Sequence, residues 1–194
     1  MSKLEVDAIE PQSGTSLTLG ASGDTVNVVG TLQNNGNNAV GITEADQWRL
    51  TADTNEDTDA DVTTNWERND STGYGGIGTG LTESSGIFSF SQTGIYLIMF
   101  SGRFVVAAAD SGTFLDFYIT TNNSSYNKSA EVSAGNRGTL AISAFATNTF
   151  IFDVTNTTTH KFKFATSSFD SGTYLGGSTD IQRTGFTITR IGDT

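Results

Sequence analysis

"SGIFSFSQTGIYLIMFSGRF", residues 85–104, is the most apolar part of the chain, and its reading decides the fold. The run Ile95-Tyr96-Leu97-Ile98-Met99-Phe100 falls well short of the roughly 20 residues that cross a bilayer, and Arg103 follows it closely. Gly94 and Gly102 bracket the run, and its aromatic and β-branched residues favour strand over helix. Alternation places Tyr96, Ile98 and Phe100 on one face and Ile95, Leu97 and Met99 on the other, so both faces are apolar. In 114–119 the faces are Phe114, Asp116 and Tyr118 against Leu115, Phe117 and Ile119. A free-standing sandwich wets the outer face of each sheet. Strands apolar on both sides therefore predict that one outer face is covered, most simply by identical subunits. Tyr96, Ile98, Phe100, Phe117 and Ile119 are expected in the core or in a subunit contact, and the alternation leaves open which face serves which purpose.

Outward from this stretch, residues 48–194 carry short apolar runs separated by clusters of Ser, Thr, Asn, Gly and Asp, among them "QWRLTA", "TFLDFYITT", "FIFDVTN" and "TGFTITRI". No segment sustains an amphipathic helical period with caps. The pattern is all-β, a sandwich or jelly roll, and the stretch is long enough for a two-sheet core. Residues 1–47 differ. All 20 aromatic residues of the chain lie at or after Trp48. The first 47 residues thus lack the large rings that supply much of a core's buried area. Leu17 and Leu19 recur as Val26 and Val28 across the turn-like "GASGD" (20–24), which predicts short strands whose apolar sides need an outside partner. "QNNGNNAVG" (33–41) reads as a linker. Two parts follow: an anchor or shaft with its linker over 1–47, and a head over 48–194.

The chain has no Cys, which excludes disulfides, thiolate metal sites and cysteine nucleophiles. Its net charge of −11 argues against nucleic-acid binding, and Lys161 and Lys163 alternate with Phe162 and Phe164 as the solvent side of a strand. The start, Met1-Ser2-Lys3-Leu4-Glu5-Val6-Asp7, turns acidic where a signal peptide would turn apolar, so synthesis in a cytoplasm without general secretory export is expected, with no membrane insertion.

Few residues suggest chemistry. "GYGGIG" (73–78) satisfies G-x-G-x-x-G in letters, yet it precedes no helix, and a flexible loop is expected. In "DTNEDTDAD" (53–61) the carboxylates of Asp53, Asp57, Asp59 and Asp61 are dense enough to suggest calcium. Thr58 and Thr64 stand where an EF-hand loop needs Gly and Glu, so a solvated acidic loop is the competing reading. His160, the one histidine, reads as an exposed strand residue, and no G-x-S-x-G elbow accompanies it. Trp48 and Trp66 flank the acidic loop as either a sugar platform or a closure of the core. Loop 167–180 offers Tyr174 as an exposed aromatic for surface binding.

"SSGIFSFSQTGIYLIMFSGRF" resembles the hairpin signature of the C1q/tumour-necrosis-factor jelly roll, through Gly86, Phe88, Phe90, Gly94, Tyr96 and Phe100. The resemblance covers roughly 48–194 and implies a ten-stranded jelly roll that assembles as a compact homotrimer around apolar strand faces. The collagen-like stalk of complement members is missing. "KLEVDAIEPQSGTSLTLG" (3–20) is similar to the opening of fibre and appendage proteins of tailed, notably marine, bacteriophages. That likeness implies an anchor, with Leu4, Val6, Leu17, Leu19, Val26 and Val28 as its apolar contacts to other virion proteins of the capsid or tail. Together the two imply a non-enzymatic, trimeric structural protein at the virion surface, a short fibre or capsid decoration whose head could meet host-surface glycans. A tail-fibre receptor-binding protein, a polysaccharide-degrading enzyme with paired carboxylates and a cellular C1q-like lectin or signalling ligand are the alternatives. No cofactor beyond the calcium just considered is expected.

Overall fold

A computed structural model describes residues 19–30, 32–34, 37–38, 41–54, 57 and 59–194. The chain divides into two units, Met1–Gly41 and Ile42–Thr194. Of the expected anchor residues, Leu4, Val6 and Leu17 lie outside the described residues.

In the first unit the turn at "GASGD" is present. The Asp24 N–H donates to the Ala21 carbonyl at 3.0 Å, and the Asp24 carboxylate accepts from the Ala21 N–H at 2.6 Å. The expected strand does not follow it. Val26 and Val28 belong to no strand among the described residues, and with Leu19 they are exposed. Pairing occurs instead in the stretch read as a linker, where β1 (Gln33–Asn34) and β2 (Asn37–Asn38) form an antiparallel pair. Two-residue strands need no apolar side, which is why hydrophobic alternation did not find them.

The second unit is a sandwich of two antiparallel sheets. Its strands are β3 (Ala45–Leu50), β4 (Trp66–Arg68), β5 (Thr82–Ser84), β6 (Ile87–Ser89), β7 (Gly94–Val106), β8 (Thr113–Thr120), β9 (Asn127–Ala134), β10 (Ile142–Val154), β11 (Lys161–Ser167), β12 (Tyr174–Leu175) and β13 (Gly185–Gly192). One sheet runs β10-β7-β13-β3-β4, with β12 added beside the far end of β7. The other runs β5-β6-β11-β8-β9. The chain crosses repeatedly between the sheets, at β4–β5, β6–β7, β7–β8, β9–β10, β10–β11 and β11–β12, as in the jelly roll that the short, evenly spaced runs implied. The first strand of this unit begins at Ala45, upstream of the Trp48 boundary read from the aromatic residues, because its first inward position is Asp46 rather than a ring, with Glu44 buried just ahead of it.

Aromatic rings fill the space between the sheets. Phe88, Phe100, Phe104, Phe117, Phe162, Phe164 and Phe186 are essentially inaccessible. Within one sheet Phe88 stacks on its cross-strand partner Phe162 with ring centroids 5.0 Å apart, and between the sheets Phe100 of β7 stacks on Phe117 of β8 at 5.3 Å. Each buried ring removes a large apolar area from water, and offset or edge contacts add to that gain. Tyr96, Ile98, Phe100 and Phe117 are all core, and Ile119 packs half-buried against it. None of these five faces outward, so the strand faces available to a subunit contact are the opposite ones.

Two glycines of the hairpin signature have physical causes. Ser85 and Gly86 both have positive φ, 53° and 79°, as a two-residue turn joining β5 to β6 requires. A Cβ on Gly86 would also lie 2.3 Å from the Val62 carbonyl oxygen. A Cβ on Gly94 would lie 2.3 Å from Arg190 Nε, so the start of β7 can approach β13 only as glycine.

Candidate functional site

The outward side of β7 is the feature that a solvated sandwich does not explain. Leu97 and Met99 are 36% and 52% exposed, while Ile98 between them is fully buried. Register places Leu97 opposite Ile151 of β10, and Arg103 opposite Phe145. Ile151 and Phe145 are 61% and 63% exposed. On the other side of β7, Met99 and Leu97 face Thr187 and Thr189 of β13. The uncharged Thr147 and Thr149 of β10 fill the remaining outward rungs between Phe145 and Ile151. The result is an open apolar strip along β10 and β7. It ends toward β3, where Arg49 is buried by hydrogen bonds to Glu67 at 2.9 Å, Ser71 at 2.8 Å and Asn69 at 3.2 Å, and by an ion pair to Asp70.

The outward side of the second sheet carries rings too, but they are covered. Lys128 lies 5.4 Å above the Phe114 ring and pairs with Asp116 at 2.8 Å and with Glu131. Hydrogen bonding to Asp116 and then to Glu131 pushes the Lys128 ammonium up, which keeps it charged. Lys163 lies 4.8 Å from the Tyr126 ring and 5.7 Å from the Tyr118 ring, and it pairs with Asp61. Lysine stems and cation–π contacts here finish the surface within the chain. The double apolarity of 114–119 therefore asks for no subunit, unlike that of 95–100.

The four acidic-loop residues do not converge on one point. The Gly177 N–H donates to Asp53 Oδ1 at 2.8 Å, the Gly172 N–H to Asp57 Oδ1 at 3.0 Å and the Phe169 N–H to Asp59 Oδ1 at 3.0 Å. Asp61 pairs with Lys163. Three of them thus fasten the 169–177 segment, and no group of three metal-ligating side chains occurs among the described residues. Asp53 and Asp61 do line one cleft of about 250 Å³ together with Thr54, Thr63, Thr64 and Asn65.

Several other expectations are corrected. Tyr174 is not on a loop: it is half-buried in β12, paired with Val105 of β7. His160 is buried rather than exposed, stacked on Phe152 with ring centroids 5.7 Å apart and flanked by the hydroxyls of Thr155 and Thr159, each at 3.1 Å. The turn before β11 folds it inward, which a strand reading could not anticipate. Trp48 and Trp66 close the core. Both pack edge-on against Phe88, at 5.4 Å and 5.3 Å, and their indole N–H groups donate to Asp46 and to the Val62 carbonyl.

The "GYGGIG" loop is tied down rather than free. Ile77 exchanges two backbone hydrogen bonds with Ala45, at 2.9 and 3.0 Å, and the Tyr74 hydroxyl donates to Asp46 at 2.8 Å. Burial, with the Asp46 carboxylate adding to it, pushes the Tyr74 phenol up. Asp46, buried, also accepts from the Leu81 N–H at 2.8 Å and from Arg68 Nε at 3.0 Å. Glu44, equally buried, accepts from Gln92 at 2.7 Å, from Ser91 at 3.1 Å and from the Gly80 N–H. Sequence reading missed this pair. The signal was in "EADQWRL", where Glu44 and Asp46 share the alternation of Trp48 and Leu50.

No protein-family model matches the sequence. No curated protein matches it either. Solved structures do. The chain is similar to the Eiger TNF of S. frugiperda, with TM-score 0.55 and 11% identity over 79% of this chain and 96% of that one. Murine APRIL aligns with TM-score 0.54 and 11% identity over 76% and 98%. The globular domain of zebrafish complement 1qA is more distant, at TM-score 0.47 and 13% identity over 78% and 99%. The fold is thus the tumour-necrosis-factor type of jelly roll.

Proposed function

We propose that this protein is a non-enzymatic structural protein of a tailed-phage virion, a homotrimer whose N-terminal segment attaches to the particle and whose jelly-roll head is displayed. The observation that carries the trimer is the bare strip of Leu97, Met99, Phe145 and Ile151 on a head whose other ring-bearing face is already covered. An apolar strip of this kind marks an interaction surface. Closure by three copies is supported by the resemblance to trimeric jelly rolls, and a closed cyclic ring is the kind of symmetry that homo-oligomers adopt. The virion role rests on the likeness of "KLEVDAIEPQSGTSLTLG" to phage appendage openings.

In this reading residues 1–47 hold other virion proteins, through Leu4, Val6, Leu17, Leu19, Val26 and Val28, and the head over 48–194 meets host-surface glycans. The protein is made in the host cytoplasm and ends at the virion surface. A short fibre or a capsid decoration is the form proposed, and tail-fibre receptor binding is the variant with a different attachment point. The absence of catalysis is supported by the engagement of Asp53, Asp57 and Asp59 with backbone N–H groups and of Asp61 with Lys163. Peptide mass spectrometry of purified particles is the test, followed by immunogold labelling. Peptides of this chain with label on the capsid support decoration, and label on the tail moves the attachment point. Particles without the chain overturn the virion role.

A further inference from the structure

We infer that the cleft between Asp53 and Asn65 is a binding site for a neutral hexose unit, which rests on the display-head reading and names the residues that would serve it. The cleft of about 250 Å³ is of the size of a single sugar ring, below the range of larger ligand pockets. Its wall alternates acceptors and donors, as a ring bearing several hydroxyls requires. Asp53 uses Oδ1 for the Gly177 N–H at 2.8 Å, leaving its second oxygen as an acceptor. The Thr54 hydroxyl accepts from the Leu175 N–H at 2.9 Å and keeps its proton for another acceptor. Thr63, Thr64 and Asn65 are exposed, and their side chains make no hydrogen bond within the protein among the described residues.

Charge selects the class. The cation at this rim, Lys163, is paired with Asp61, and the chain carries a net charge of −11. An acidic sugar would meet two carboxylates and gain no free cation, whereas a neutral one gives its hydroxyl protons to the same carboxylates. Asp61 also joins the cleft to an aromatic margin, because its partner Lys163 lies over the rings of Tyr126 and Tyr118. The Tyr126 hydroxyl is buried and has no hydrogen-bond partner among the described residues. Burial, and then the charge of Asp61, push that phenol up, in keeping with its place beside the rim.

Saturation-transfer NMR on the full chain tests this, with methyl glycosides of glucose, mannose, galactose and N-acetylglucosamine as neutral probes and glucuronic acid as the acidic one. At least one neutral glycoside is expected to bind, with glucuronic acid about tenfold weaker. Asp61→Ala and Asn65→Gly are each expected to weaken binding about tenfold, the effect of losing a hydrogen bond to a charged or well-placed polar group. Glycine at 65 keeps the positive φ of 65° without strain, and thermal melts confirm that both variants fold. Leu140→Ala, at a 79% exposed position outside the cleft lining, is the control that leaves binding unchanged. No transfer from any neutral glycoside, or transfer equal in wild type and both variants, overturns the site. Either result leaves the virion reading standing, because that reading is decided by the protein content of the particle.

Discussion

The two outer faces of the sandwich start from the same problem and solve it differently. On the β11–β8–β9 side, Phe114, Tyr118 and Tyr126 lie beneath Lys128 and Lys163, each lysine held by an acid of the same chain. On the β10–β7 side, Leu97, Met99, Phe145 and Ile151 stay exposed among threonines, with Arg103 opposite Phe145 and Asp153 opposite Ile95 at the two ends. An apolar residue on an outward strand face is therefore no sign of a partner by itself. The sign is that it stays exposed, with no lysine held over it by a neighbouring acid, which depends on register rather than on the strand's own sequence.

Both faces hang on one core, so Phe100→Ala, which opens a cavity beneath β7 and unstacks Phe117, is expected to cost about 3–5 kcal/mol in urea unfolding. A loss below about 1 kcal/mol would show the two sheets to be less tightly coupled than the ring contacts require. Asp46→Ala removes the acceptor shared by Trp48, Arg68, Tyr74 and the Leu81 N–H, and about 3 kcal/mol is expected by the same measurement. On the covered face, Lys128→Met leaves the buried Asp116 carboxylate without its cation and is expected to cost about 3 kcal/mol. Lys163→Met is expected to cost under about 1 kcal/mol, because its partner Asp61 is exposed, and a cost of several kcal/mol at Lys163 would mean that this covering is structural rather than a surface finish.

The smallest effect concerns alkaline pH. Tyr96 is pushed up from 10.0, by burial first and then by the charge of Glu44, and Lys128 is pushed up from 10.5 by its two acids. In both, the folded state holds the proton more tightly than the unfolded chain does. Their contribution is complete below the ordinary values and declines as pH climbs from about 10 toward the raised ones. Melting temperature is expected to be insensitive to these groups from pH 7 to 9 and to fall above pH 10, and Tyr96→Phe is expected to flatten that fall.

The fold was legible because alternation and ring placement are local: Phe88, Phe90, Tyr96 and Phe100 mark core faces whatever lies opposite them. Gly86 and Gly94 were legible as a motif, and their backbone causes appear only once Val62 and Arg190 are in place. The candidate sites were less so. Asp53, Asp57 and Asp59 look like a ligand cluster along the chain, yet each points to a different N–H of a segment more than 100 residues away. Tyr174 was placed on a loop because a two-residue strand leaves no period to read. The exposure of the strip around Leu97 is likewise a property of three paired strands, invisible in any one of them.

In the proposed assembly the strip on β10 and β7 joins copies of the head. Light scattering of the full chain beside a Leu97→Asp/Met99→Asp variant is the test: three chain masses are expected for the wild type and one for the variant, with an unchanged circular dichroism spectrum. A wild-type monomer, or a variant that stays trimeric, would contradict that assembly.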